Sequence, residues 1–286
     1  MKVLLISGSG RQDGNTSRAL GIFQERLERA SGDAGVALEV ETVHLEQAGI
    51  SACLGCRVCF DYGEERCPLK DGLLPLRDKI LAADALVIGS PVYVEDVSGL
   101  IKTLIDRLAF FSHRPALYGK CACLLTTAGG RSTKHALRTM SVALTTWGAK
   151  VLGGDMLFLG ALTRKEEIAE KYGETLKRSA DNLLKALRTR SADKPTLFSL
   201  VSFRVQQCVW RRMDPDSLDH RYWAGKGWLE EGCDYYMPYR VGFLRRGAAW
   251  LLSRAAIAVF KYDEDGDGHG GKCTGKARDP KEDPFR

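Results

Sequence analysis

The chain has 286 residues, of which 44% are hydrophobic, and a formal net charge of +6 at pH 7. This length allows one large domain or a domain with an appendage, and the hydrophobic content is sufficient for a sizeable core. The cationic excess lies mainly after residue 162. Because no nucleic-acid recognition motif accompanies it, we interpret the excess as a solvated surface and expect no nucleic-acid partner.

The amino terminus and the cysteine content indicate a reducing compartment. Met1-Lys2 runs directly into the apolar stretch Val3 to Ile6, which is too short for the hydrophobic region of a signal peptide. No apolar run approaches the ~20 residues that a transmembrane helix needs. In a reducing cytoplasm, clustered cysteines are more often metal or redox ligands than disulfide partners. We therefore expect a cytoplasmic protein without a transmembrane segment.

Apolar periodicity predicts strands and helices that alternate over residues 1–190. The predicted strands are 3–7, 37–45, 85–89, 121–126 and 151–159, and the predicted helices are 16–30, 73–83, 100–111, 135–147 and 163–190. This alternation is typical of a doubly wound α/β domain, in which a parallel sheet is covered on both faces. Ligands bind in such a sheet beyond the carboxyl ends of the strands.

The loop after the first predicted strand has the composition of an anion site. The segment Ser7 to Ser17 follows a strand and opens a helix, which directs backbone N–H groups and the positive helix end toward one point. It lacks the spacing of a nucleotide P-loop or a dinucleotide fingerprint. Plain N-capping by Asn15 or Thr16 is the alternative. The side chains that suit a phosphate monoester are Ser9, Arg11, Asn15, Thr16 and Ser17.

Four cysteines follow the second predicted strand with the spacing Cys-x2-Cys-x2-Cys-x7-Cys. They are Cys53, Cys56, Cys59 and Cys67. The tight opening spacing is that of the bacterial ferredoxin run, whose cysteines hold iron–sulfur clusters. Structural zinc sites usually pair two separated Cys-x2-4-Cys knuckles, which this single run does not show. The spacing favours a cluster, with zinc or free thiols as the alternatives.

Two further loops follow predicted strands. Gly89 to Val94 contains Pro91, which fixes the chain, and Tyr93, which offers an aromatic edge to a planar ligand. Thr126 to Arg131 is a turn of small residues that allows backbone to approach a ring closely. Each could be an ordinary strand-to-helix turn, but three such loops at successive strand ends indicate one binding site.

These motifs resemble those of the NAD(P)H-dependent FMN reductases. The resemblance rests on Gly-Ser-x-Arg-x-x-Gly-Asn-Thr at residues 8–16 and on Gly-Ser-Pro-Val-Tyr at residues 89–93. Lys102, Asp106 and Arg107 also fall in the following helix, as they do in that family. The cysteine run narrows the resemblance to the iron–sulfur flavoproteins. The resemblance to this family covers roughly residues 1–160.

The resemblance implies a flavodoxin-like fold with a five-stranded parallel sheet, FMN at the strand ends, a 4Fe-4S cluster beside it, and a homodimer or higher oligomer. The FMN phosphate would contact Ser9, Arg11, Asn15, Thr16 and Ser17. The isoalloxazine would contact Pro91, Val92, Tyr93 and Val94, with Gly129 and Gly130 near its other edge. The cluster ligands would be Cys53, Cys56, Cys59 and Cys67.

The implied activity is that of an FMN-dependent oxidoreductase. It would pass electrons between NAD(P)H or a ferredoxin-type donor and a flavin, quinone or protein acceptor, through the iron–sulfur cluster. No catalytic acid–base residue is expected, because the redox chemistry belongs to the flavin. The alternative is a non-enzymatic electron carrier or redox-responsive adaptor, recruited to a partner or a membrane surface by its C-terminal extension.

The last third of the chain has a different composition. Residues 191–262 are rich in aromatic residues and predict a helical extension. Within it, residues 243–260 are apolar but interrupted by arginines, so they form either an interfacial helix on anionic lipid or an amphipathic helix docked on the core or a partner subunit. Composition alone favours docking. Residues 263–286 lack apolar periodicity and predict a disordered tail.

Overall fold

The computed structural model describes residues 1–130, 134–190 and 194–266. They form two compact units. The N-terminal unit comprises Met1–Cys56 and Leu69–Pro195, and the C-terminal unit comprises Arg57–Pro68 and the chain from Thr196 onward. The segment Arg57–Pro68, which carries two of the four clustered cysteines, therefore belongs with the C-terminal extension.

The N-terminal unit alternates strands and helices as predicted. Its strands are β1 Lys2–Ser7, β2 Glu39–His44, β3 Ala85–Tyr93, β4 Asp96–Val97, β5 Cys121–Ala128 and β6 Lys150–Phe158. Its helices are α1 Asn15–Asp33, α3 Leu73–Ala82, α4 Gly99–Arg107, α5 Lys134–Thr146 and α6 Lys165–Arg188, and a 3₁₀ turn, Ala109–Ser112, follows α4.

Five parallel strands form the sheet in the order β2-β1-β3-β5-β6. This is the flavodoxin-like order, so the predicted fold class is confirmed. β4 pairs with the end of β3 in antiparallel fashion and was not predicted. β3 also runs on to Tyr93, because Ser90 and Pro91 keep their register with Thr126 and Thr127 of β5.

The central strands are buried on both faces, as a covered parallel sheet requires. Residues 86–91 of β3 and 121–127 of β5 are buried throughout. On one face α1 packs with α6 over the sheet, through side chains such as Phe23, Leu27 and Leu183. The sheet thereby becomes a rigid platform, and its carboxyl edge carries the predicted ligand loops.

The C-terminal unit is helical. Its elements are α2 Val58–Asp61, a 3₁₀ turn Glu64–Arg66, α7 Leu197–Trp210, α8 Leu218–Gly225 and α9 Phe243–Gly266. Helix α9 extends four residues into the predicted tail, and residues 267–286 lie outside the described residues. Among the described residues, no helix combines the length and the apolar content that crossing a bilayer requires.

An aromatic cluster forms the core of the C-terminal unit. Phe203 of α7 is fully buried and lies 4.8 Å from the Tyr236 ring, in an edge-to-face arrangement, and 5.4 Å from Trp223. Trp228 contacts both Trp223 and Tyr236, with ring centroids 5.1 and 4.8 Å away. The aromatic residues of the extension therefore stabilise its fold, since buried edge-to-face pairs add to the gain from area burial.

Two phenylalanines of α7 provide a matched test of this core. Phe203→Ala should cost about 3–5 kcal/mol, because it leaves a cavity among buried rings. Phe198, which is 60% exposed, should tolerate the same change within about 0.5 kcal/mol. Denaturant unfolding followed by tryptophan fluorescence gives both values. Equal losses in the two variants would contradict the assignment of this cluster as the core.

Candidate flavin site and cysteine segment

Two of the predicted ligand loops touch at the carboxyl edge of the sheet. The Gly8 N–H donates to the Gly89 carbonyl at 2.8 Å, and the Ser98 hydroxyl donates to the Gly8 carbonyl at 2.8 Å. Ser98 also caps α4, accepting from the Ile101 N–H at 3.3 Å. The loop after β1, the end of β3 and the start of α4 are thus joined by a few short hydrogen bonds.

The close approach of these loops depends on glycine. A Cβ atom on Gly8 would lie 2.3 Å from the Ile101 side chain, and one on Gly89 would lie 2.9 Å from the Thr16 methyl group. Such distances are shorter than any real packing contact. The two glycines therefore allow α1 and α4 to approach the ends of β1 and β3.

The third loop is tied to the same place through α1. The hydroxyls of Thr16 and Thr127 are 2.6 Å apart and buried, which joins the first turn of α1 to β5. The Asn15 amide nitrogen donates to the Gly160 carbonyl at 2.6 Å, which joins the first turn of α1 to the segment after β6. The structure therefore brings the loops after β1, β3 and β5 to one edge.

The amino terminus of α1 is open to an anion. Its N-cap residue is Gly14, which has no side chain to cap the first-turn N–H groups. The predicted alternative, capping by Asn15 or Thr16, is wrong, since both lie inside the helix. The Asn15 Oδ1 atom is buried and has no hydrogen-bond partner within the described residues. The uncapped helix amides can donate to an anion such as a phosphate ester, whereas the orphaned Asn15 oxygen is an acceptor and requires a donor such as a hydroxyl group.

The hydroxyls predicted to contact the phosphate already bond within the protein. Ser9 Oγ donates to the Arg11 carbonyl at 2.8 Å and accepts the Arg11 N–H at 3.1 Å. Ser17 Oγ lies 2.9 Å from Ser7 Oγ. These bonds shape the loop around the helix end, while the Arg11 side chain is exposed. Direct contact of these side chains with phosphate stays a prediction.

The predicted isoalloxazine loop is a strained hairpin. Val94 and Glu95 join β3 to β4 with φ of 49° and 68°, and a β-branched residue adopts such a conformation at a cost of roughly 1–3 kcal/mol. Asp96 anchors the hairpin, because its carboxylate accepts the Thr139 hydroxyl at 2.8 Å. The turn leaves Val94 99% exposed.

The other residues predicted for the ring lie around this hairpin and at the end of β5. Tyr93 is exposed beside Val94, while Pro91 is buried and Val92 half-buried. Gly129 and Gly130 are exposed directly after β5, and residues 131–133 lie outside the described part of the chain. The hairpin offers one exposed aromatic and one exposed aliphatic surface, as a planar ligand requires.

An ion pair closes the base of the segment that holds the cysteines. The guanidinium of Arg107, at the end of α4, donates to both carboxylate oxygens of Asp71, at 2.6 and 3.1 Å, and to the Ser51 carbonyl at 2.8 Å. Asp71 accepts the Ser51 N–H at 2.9 Å. Since Ser51 and Asp71 flank the cysteines in sequence, this Arg107–Asp71 clasp fixes both ends of the segment.

The clasp is buried and charged. Burial raises the pKa of the Asp71 carboxyl, but hydrogen bonds from Arg107 and from the Ser51 and Leu73 N–H groups outweigh it and hold that pKa at about 2. The folded pKa is thus below the unfolded value of about 3.9. The resulting stability is present above about pH 4 and is lost as the pH falls toward 2.

Asp71→Asn should therefore lower the free energy of unfolding at pH 7 by about 2 kcal/mol, because one pKa unit corresponds to about 1.4 kcal/mol. The difference from wild type should shrink as the pH falls from about 4 toward 2. Asp106→Asn on α4 breaks the exposed Lys102–Asp106 pair and should change stability by less than about 1 kcal/mol. Urea titrations at several pH values measure this. A pH-independent deficit would exclude the ion pair as its cause.

None of the four clustered cysteines forms a disulfide, and they belong to different units. Cys53 and Cys56 end the first segment of the N-terminal unit, and Gly55, at φ 66°, donates its N–H to Cys53 Sγ at 3.4 Å. Cys59 in α2 and Cys67 after the 3₁₀ turn belong to the C-terminal unit. Within residues 1–130, 134–190 and 194–266, no three potential ligands are grouped closely enough to hold a metal ion.

The four cysteines have the right chemistry for an iron–sulfur cluster, but their arrangement in the structure is not that of a cluster site. Four thiols, none of them in a disulfide, are the ligand type that clusters use, and an N–H···S contact like that of Gly55 is typical of ligand sulfurs. However, the described geometry does not gather them. The cluster therefore stays a prediction, and nothing about electron transfer is derived from it.

Several residues that build this edge were not predicted as functional. They include Ser98, Thr127, Asp71 and Arg107, of which the last was noted only for its family position. Ser98 carried a signal, since a serine before an apolar helix is a preferred N-cap. Thr127 lay in the third predicted loop, but neither its contact with α1 nor the role of Asp71 could be predicted, because their partners lie 111 and 36 residues away.

Comparison with known proteins identifies the family. The sequence model described as NADPH-dependent FMN reductase matches residues 1–162, more than half of the chain. The chain belongs to the NADPH-dependent FMN reductase family. Two solved structures share the fold of this family member. An oxidoreductase from Corynebacterium diphtheriae has a TM-score of 0.51 at 20% identity, and the match covers 66% of this chain and 98% of that one. A flavone reductase has a TM-score of 0.50 at 19% identity, and the match covers 66% of this chain and 63% of that one.

Curated relatives of this FMN reductase family member are named iron–sulfur flavoproteins. One from Archaeoglobus fulgidus is 34% identical over 154 residues, covering 54% of this chain and 66% of the relative. One from Methanocaldococcus jannaschii is 37% identical over 107 residues, covering 37% and 51%. The chain thus spans about half to two thirds of their length. One from Clostridioides difficile is 24% identical over 233 residues, covering 81% and 99%.

Proposed function

We propose that the protein is an FMN-dependent oxidoreductase that takes electrons from NAD(P)H or a ferredoxin-type donor and passes them to a flavin, a quinone or a protein acceptor. The observation that carries the proposal is the convergence of three strand-end loops on an uncapped helix terminus. The family match over residues 1–162 supports it.

The residues present divide the work of holding FMN. The first-turn amides of α1 would bind the phosphate, because the helix end is positive and Gly14 leaves it open. The Val94–Glu95 turn and Tyr93 would lie against the ring. When bound, FMN supplies two-electron hydride chemistry and one-electron transfer, and the protein supplies position and surroundings.

A charge placed at the helix end tests the phosphate site. Ser17→Asp should weaken FMN binding by at least about tenfold, since a carboxylate there repels the phosphate while helping the helix dipole. Riboflavin, which has no phosphate, should bind the variant about as well as it binds wild type. Flavin fluorescence titration measures both ligands. Equal losses for FMN and riboflavin, or a wild-type protein that takes up no FMN, would remove the proposal.

We further propose that Cys53, Cys56, Cys59 and Cys67 are the ligands of a 4Fe-4S cluster. The spacing, the absence of a disulfide at any of the four cysteines and the names of the curated relatives support this. The Arg107–Asp71 clasp would hold the base of the cysteine segment both with and without a bound cluster. A homodimer is proposed with it, as the resemblance implies.

Metal analysis of anaerobically purified protein tests the cluster. We expect about four iron and four sulfide per chain, as a cubane with four thiolate ligands requires. Cys56→Ser should abolish iron while FMN stays bound, because the flavin loops lie elsewhere. Cys208→Ser, which changes another half-exposed thiol, should keep the iron. One zinc without acid-labile sulfide, or no metal, would end the cluster proposal and leave the flavin proposal standing.

The second candidate function, an electron carrier or adaptor, is favoured by one observation: the C-terminal unit is folded and carries large exposed apolar side chains on α9. Steady NADPH oxidation with FMN or a quinone as acceptor supports the enzyme. Bound flavin that is reduced once and does not turn over with any such acceptor supports the carrier.

A further inference from the structure

Helix α9 packs with its small residues inward and its large ones outward. Ala249 is fully buried and Ser253 nearly so, and this side of the helix contacts α7 within the C-terminal unit. Leu251 projects away from the contact and is 62% exposed, and Phe243 is 81% exposed. Among the side chains of residues 243–258, Leu244, Trp250 and Leu252 are also large, apolar and exposed. A docked amphipathic helix would show the reverse pattern.

The charges beside this apolar face are mainly positive, and the nearby carboxylate of Asp234 is paired with Arg204 and Arg246. Between Asp234 and Asp263 the sequence contains no carboxylate. In the same stretch it contains the cations Arg240, Arg245, Arg246, Arg254 and Lys261. The Arg254 guanidinium lies over the Trp250 ring, 4.9 Å from its centroid. An apolar face bordered by arginines, together with an aromatic side chain that has a polar edge, is the composition of a helix that lies in a membrane interface.

A cationic cleft runs between α7 and α9 beside this face. It has a volume of about 560 Å³, and the lining residues whose side chains the structure describes, up to Ala258, include no carboxylate. Its cations are Arg204, Arg211, Arg212 and Arg254. Arg204 is held by Asp234 at 2.6 Å and Arg211 by the Leu229 and Glu230 carbonyls at 2.8 Å, whereas Arg212 and Arg254 are exposed. Guanidinium groups in such a cleft match a phosphate ester.

We propose that the C-terminal unit binds an anionic lipid bilayer, with the exposed face of α9 buried at the acyl boundary and a lipid phosphate in the cleft. A second copy of the chain fits this surface less well. A two-fold contact would place the arginines of the two copies against each other, and the nearby carboxylate, Asp234, is already paired with Arg204 and Arg246. The charge of an anionic bilayer is complementary to this surface. The inference goes beyond the proposed redox activity, because it places that activity at a membrane surface.

Sedimentation of the full-length protein with vesicles tests the proposal. The protein should bind vesicles of phosphatidylcholine mixed with phosphatidylglycerol and not vesicles of phosphatidylcholine alone, and the binding should weaken as salt is raised. Leu251→Glu should weaken binding by about tenfold or more, as expected for one lost buried leucine. Arg254→Gln should weaken it about fivefold, since each basic residue near an anionic surface contributes about 1 kcal/mol.

Matched controls separate the alternatives. Val142→Glu on α5 of the N-terminal unit adds the same charge at a half-exposed position and should leave vesicle binding unchanged. Leu244→Gln is a second, milder variant, and unchanged thermal melting shows that both variants are folded.

Three results would overturn the proposal. They are absence of vesicle binding, equal binding to neutral vesicles, and a wild-type dimer that Leu251→Glu converts to a monomer without any lipid dependence. None of them bears on the flavin site, whose test is FMN affinity.

Discussion

The short contact between Gly8 and Gly89 is the constraint on which the candidate flavin site depends. A hydrogen bond of 2.8 Å joins the two backbones, and no side chain fits on either residue. Because β1 and β3 come this close, Thr16 reaches β5 and Ser98 reaches the loop after β1. The amino terminus of α1 is then fixed beside the hairpin that carries Tyr93. The candidate phosphate site and the candidate ring site thus depend on one backbone contact.

The Arg107–Asp71 clasp fixes both ends of the cysteine segment on the N-terminal unit. A buried ion pair is rarely a net gain in stability, because desolvation offsets the attraction. Here it also satisfies the backbone of Ser51 and so sets where the segment leaves the sheet. An ion pair of this kind determines the path of the backbone more than it adds stability. The segment between Ser51 and Asp71 contains glycine and charged residues. The ion pair fixes both ends of this segment, which carries the four thiols.

The fold followed from the sequence because local and long-range preferences agree over residues 1–190. Apolar runs such as Val3 to Ile6 and residues 85–89 are typical of strands that are buried on both faces of a covered parallel sheet. The ends of β3 and β5 were predicted too short, since Ser90, Pro91 and Thr127 resemble loop residues and pair only because a neighbouring strand is present. The Val94–Glu95 turn could not be predicted, because its left-handed backbone contradicts the preference of valine. The glycines of the loops were identified, but their partners, Ile101 and Thr16, were not.

Periodicity alone also could not orient α9. Its sequence allows several apolar faces, and hydrophobicity favours burying the one that contains Leu244 and Leu251. The structure instead places Ala249 and Ser253 against α7, because small residues let two helices approach closely, and the core of this unit is already filled by the aromatic cluster around Phe203. The larger apolar side chains have no place inside. An exposed apolar face on a helix free of carboxylates from Phe243 to Tyr262 is costly in water, and an anionic bilayer removes that cost while accepting the neighbouring arginines.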